Sequence, residues 1–156
     1  MKNACMLVLG LALATSAAGC GGDTGGDQAE PAGGAEVTSS AEPIGTVTIV
    51  EPQDGAVVEG PDVTVRLAVE GFPIVPSGDM TPNTGHHHLY LDADLTPASE
   101  PVPTVENQII HMGDASDTFT FRNVPSGEHR IIAVVADGAH FPLQPWVVDT
   151  VTFTVP

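Results

Sequence analysis

Apolar and polar residues alternate with a period of two through most of the chain beyond residue 44. Val63, Val65, Leu67 and Val69 fall on one face of the run Asp62–Glu70. Successive side chains of a strand point to opposite faces, so this pattern predicts a half-buried β-strand. Thr46–Glu51 is rich in β-branched residues and predicts another, followed by the turn signal Pro52-Gln53-Asp54-Gly55. Further strands are predicted from Gly85 onward, over Asn107–Met112 and over Asp117–Arg122, the last closed by the turn Asn123–Gly127. Glu128–Asp137 is apolar on both faces and predicts a central strand. Val147–Val155 closes the pattern with Val151, Phe153 and Val155 inward. No window carries a helical period, and 14 prolines argue against long helices.

Seven or so short strands with turn signals at this spacing predict an all-β fold, an antiparallel sandwich of immunoglobulin-like type over residues 44–156. The cysteine pair and intervening tryptophan of antibody domains are absent. The connections Gly71–Thr84 and Asp92–Glu106 are longer than hairpin loops, and long loops on a sandwich commonly carry function.

The first 43 residues have a different character. Lys2, the short apolar run Met6–Ala14 and the sequence Ala17-Ala18-Gly19-Cys20 resemble a bacterial lipoprotein signal, with Cys20 as the lipidated first residue of the mature chain. The expected division is a signal peptide over residues 1–19, a disordered acidic Gly/Ala-rich tether over 20–43, and the sandwich over 44–156. This places the domain in the bacterial cell envelope, held to a lipid bilayer through Cys20. Gly21 in place of an aspartate points to the outer membrane or the cell surface. An ordinary signal peptide cleaved near Ala18 is the plainer alternative.

Charge and cysteine usage then exclude several classes. The mature chain would keep Arg66, Arg122 and Arg130 against 20 acidic residues, 3 − 20 = −17, a surface that repels nucleic acid. Cys5 leaves with the signal and Cys20 carries lipid, so the domain has no thiol for a disulfide or a metal. There is no Gly-x-Ser-x-Gly elbow, P-loop or dinucleotide fingerprint. Asp92, Asp94 and Glu100 resemble a calcium loop only loosely. The expectation is therefore a protein that is not an enzyme.

The chemical lead is Gly85-His86-His87-His88-Leu89-Tyr90-Leu91-Asp92. Leu89 and Leu91 must face a core, which sends His87 to the core edge. His86, His88, Tyr90 and Asp92 then share the opposite face. Two imidazoles at i and i+2 can converge on one metal ion if a neighbour supplies more ligands. His111 and His140 are the candidates, with His140 favoured if Glu128–Asp137 is the adjoining antiparallel strand. His129 belongs at the far end. Met112 would suit copper if it pointed the same way as His111. Close imidazoles also resist joint protonation, so acidification should loosen this edge.

Several segments together resemble the exported domain of unknown function 4399. They are Glu51–Val58, Thr84–Asp92, Ile110-His111-Met112-Gly113, Pro125–Arg130 and Ala136–Pro142. The chain departs from that family's pattern after His111. The resemblance implies an exported immunoglobulin-like domain and marks His86, His87, His88, His111, His129 and His140 as motif positions. It supplies no activity.

The resulting expectation is a lipid-anchored binding module that holds copper or zinc through His86, His88, His111 and His140. The alternative is a structural or adhesive envelope domain whose histidines are packing and hydrogen-bonding residues. A copper/zinc superoxide dismutase-like enzyme is a third reading, but its disulfide and glycine-rich motifs are missing.

Overall fold

The computed structural model describes residues 43–156, so the expected signal peptide, Cys20 and nearly all of the tether lie outside the described residues. Alternation decides the first layer. In β1 (Thr46–Glu51) Val47 and Ile49 are buried, and in β3 (Val63–Glu70) Val63, Val65 and Leu67 are buried while their neighbours are exposed. With β6 (Thr118–Phe121) they form a three-stranded antiparallel sheet in the order β1-β3-β6.

The second layer has five strands in the order β2-β8-β7-β4-β5. These are β2 (Ala56–Val57), β4 (His86–Leu91), β5 (Ile109–Met112), β7 (Gly127–Ala136) and β8 (Val148–Val155). The strand order in the two sheets is that of an immunoglobulin-like sandwich. One detail departs from expectation. Ala56-Val57 adds an eighth, very short strand, and it pairs with β8 in parallel, so the five-stranded sheet is mixed. A two-residue strand is too short to carry a period.

The facing sides of the two sheets make the main core, which includes Ile49, Val65, Leu89, Phe121, Ile131, Val135 and Phe153. A second apolar cluster lies on the other side of the five-stranded sheet: Tyr90, Val102, Ile109, Ile132, Val134 and Ala136, with Ala93, Leu95 and Trp146 packed against it. The long connection after β4 lies over this face: its Thr96 Oγ1 accepts from the Tyr90 hydroxyl at 2.9 Å, and its Val102 amide donates to the His140 carbonyl at 2.9 Å. As a result β4 is buried on both faces along its whole length. That double cover creates the site, because it removes from water a strand that begins with three histidines.

Candidate metal centre

Strand alternation divides the three histidines as the sequence predicts. His87 faces between the sheets, 2% exposed, paired in register with Val135 and Met112, and its Nδ1 donates to the Ser116 carbonyl at 3.0 Å. This is inside the core rather than at its edge. His86 and His88, both 0% exposed, lie on the outer face of the sheet. β5 brings His111 directly opposite His88 across the antiparallel ladder.

His140 arrives by a turn. β7 pairs antiparallel with β4, with Ala136 opposite His86, so the end of β7 meets the start of β4. Asp137 then folds the chain back: its Oδ1 accepts from the amides of Ala139 at 2.9 Å and Phe141 at 3.0 Å. His140 sits in the left-handed region with φ 72°, a conformation disfavoured for a side chain with a Cβ. The Val102 amide holds its carbonyl from the other side. The turn spends backbone strain to place this imidazole.

The four rings converge. His86 and His88 approach Nε2 to Nε2 at 3.1 Å, and His111 and His140 do so at 3.3 Å. One ring nitrogen from each of the four can be chosen so that all lie within 4.8 Å of one another. A tetrahedral ion with bonds of about 2.0–2.1 Å needs ligand–ligand edges of about 3.3 Å, so the two closest pairs already match. His86 and His88 are the buried half of the cluster. His111 and His140 are partly exposed. A surface depression of about 540 Å³ between Ser77, Asp114, Ser116 and Phe119 reaches one of the four, His111.

Burial keeps His86 and His88 unprotonated at neutral pH. Burial is the main cause that pushes His86 down to about 4, with His111 and His140 adding to it and the Asp137 carboxylate opposing. Burial likewise takes His88 to about 3, reinforced by His86, His111 and His140. His111 is lowered by burial and by His140, against the pull of Asp114. A metal binds neutral imidazole, so His86 and His88 need no net deprotonation to act as ligands at neutral pH. The Nδ1 atoms of His86 and His88 are buried without a hydrogen-bond partner. Such an atom costs about 1–3 kcal/mol. Ligating histidines usually give that N–H to an acceptor, which raises their affinity. This cluster lacks that support on its buried half.

The other expected residues fall elsewhere. Asp92 does not share the histidine face. Its φ of 51° takes it out of the strand, and its carboxylate accepts from His129 Nδ1 at 2.7 Å and the Arg130 amide at 2.9 Å. The sequence pairing of Asp92 with His88 assumed that β4 ran one residue further. His129 stands with Asp92 at the opposite end of β4, as the strand length requires, and its Nε2 donates to the Pro125 carbonyl at 2.8 Å. Met112 is buried in the main core, opposite in parity to His111, so it offers no thioether to the cluster. The loop Pro76–Met80 lies in the long connection Gly71–Thr84, which the sequence marks by its length but not by its contacts. Its Ser77 amide donates to the Gly113 carbonyl at 3.0 Å and its Gly78 amide to the Gly138 carbonyl at 3.1 Å, joining the ends of β5 and β7 that carry His111 and His140. Nothing in its composition signals that contact.

Fold and site together define a β-sandwich domain with a four-histidine cluster under the loops of its larger sheet. The chain belongs to the family described as Domain of unknown function (DUF4399), which it matches over residues 65–156, a span that holds all six histidines. No curated protein matches. Among solved structures, an engineered protein from the Northeast Structural Genomics Consortium is similar at 16% identity and a TM-score of 0.39. The match covers 72% of this chain and 20% of that one, too little to carry any argument.

Proposed function

We propose that this domain is a non-enzymatic metal-binding module of the bacterial cell envelope, anchored through lipid on Cys20, that holds one copper or zinc ion. His86, His88, His111 and His140 are its ligands. The observation that carries this reading is the meeting of four imidazoles from three separate chain segments, with their nitrogens within 4.8 Å. Packing alone gives no reason to gather four titratable rings at one point, two of them fully buried. The strained backbone at His140 supports the same reading.

A catalytic zinc keeps one position open for water, whereas a holding site fills all four. Four protein ligands here favour retention of an ion over chemistry on it. The test is metal uptake by the purified chain near neutral pH. One equivalent of copper or zinc is expected, lost in a His86→Ala/His88→Ala double variant. Failure to take up either ion, with a melting temperature indifferent to both, would leave the structural or adhesive role.

A further inference from the structure

The six separations between the four ring centres distinguish a tetrahedron from a plane. They are 4.8 Å for His86–His88, 5.0 Å for His86–His111, 4.9 Å for His86–His140, 5.2 Å for His88–His111, 5.7 Å for His88–His140 and 4.8 Å for His111–His140. With bonds of about 2.0–2.1 Å and a ring nitrogen about 1.1 Å from its ring centre, a tetrahedron places all six centre pairs about 5.2 Å apart. A square plane at the same bond length has sides of about 4.5 Å and two diagonals of about 6.4 Å. The longest observed separation is 5.7 Å, and the pair that would form the other diagonal, His86–His111, is only 5.0 Å. No assignment of corners produces two long diagonals.

The donor set narrows the ion further. Copper(II) prefers tetragonal geometry, and copper(I) is favoured by thiolate or thioether donors. Sulfur is scarce around the cluster: the described domain has no cysteine, Met112 faces the main core, and Met80, whose sulfur lies against Gly138, leaves 66% of its surface exposed. Four neutral imidazoles in a near-regular tetrahedron suit zinc(II). We infer that the cluster is a tetrahedral zinc site, preorganised before the ion arrives, an inference that rests on the metal-binding reading and makes it specific.

Cobalt(II) is the probe, because a tetrahedral cobalt ion absorbs visible light intensely and a six-coordinate one weakly. The full chain is loaded with cobalt(II) and titrated with zinc(II), copper(II) and copper(I). The expected result is one cobalt per chain with intense tetrahedral bands, bleached by one equivalent of zinc. The bands should be lost in the His86→Ala/His88→Ala variant and reduced in His140→Gln, a change on a partly exposed turn that leaves the core intact. Cobalt bound through these histidines with only weak six-coordinate bands overturns the tetrahedral inference and leaves metal binding standing. Preference for copper(I) over zinc, abolished by Met80→Leu, overturns the choice of ion alone. Binding of none of the four ions overturns both.

Discussion

Gly113 shows how closely single residues define the cluster. A Cβ there would lie 2.4 Å from His111 Cε1, 2.6 Å from His111 Nε2 and 2.7 Å from Ser77 Oγ. The imidazole is the movable partner, so Gly113→Ala should swing His111 away and leave the sandwich folded. Metal affinity is expected to fall at least about ten-fold, the lower end of what loss of ligand support costs. Calorimetric titration would measure the affinity and circular dichroism the fold. Unchanged affinity would remove His111 from the ligand set. His129 differs from the cluster residues in kind. Both of its ring nitrogens face acceptors, the Asp92 carboxylate and the Pro125 carbonyl, so both must carry protons. Burial works to lower its pKa, but the Asp92 and Pro125 hydrogen bonds and the Asp92 charge together raise it above 6.5. A raised histidine stabilises the fold fully below its unfolded value and loses that contribution as pH rises through the folded value. Asp92→Asn should therefore cost about 1–2 kcal/mol in mildly acid solution and less above neutrality, read from urea unfolding.

β4 carries the pH response of opposite sign. His86 and His88 sit on it with pKa values pushed down to about 4 and about 3 from 6.5. The unfolded chain then binds protons that the folded one excludes, so stability falls as pH drops from about 6.5 through those values. His111 and His140 on the same face, and His87 through the sheet, all oppose protonation of His86, and only the Asp137 carboxylate eases it. Two strongly lowered groups should outweigh one raised group. The melting temperature of the metal-free chain is expected to fall steadily below pH 6.5, and a flat profile would contradict the burial of these rings. Zinc should delay this loss, because bound ions exclude protons from the same nitrogens. The alternation along β4 was legible because leucines at 89 and 91 fix its inward face, and the split of His87 from His86 and His88 followed. Where β4 ended was not legible. Asp92 adopts a positive φ to reach His129 and Arg130, a tertiary demand that no local pattern expresses. The inward turn of Met112 follows from register with His87, which depends on pairing rather than sequence.

At the scale of the whole domain, the strand order explains why distant histidines meet. His111 lies across the ladder from His88, and the chain returns from β7 to deliver His140 beside β4. The sandwich and the candidate ligand set could be read from periodicity and strand length. The loop covering the second apolar cluster could not, because residues 92–106 show no period of their own. Ion binding to the folded state alone should stabilise it by about 2.7 kcal/mol at a hundred-fold excess over Kd. That corresponds to a rise of roughly ten degrees or more in Tm for a domain of this size. The chain carries a formal charge of −16, which favours cation approach at low salt. Stoichiometry tests the metal site most directly. Equilibrium dialysis of the full chain against zinc near neutral pH, followed by metal analysis, should find one zinc per chain and none in the His86→Ala/His88→Ala variant. No retained zinc, or equal retention by the variant, would contradict it.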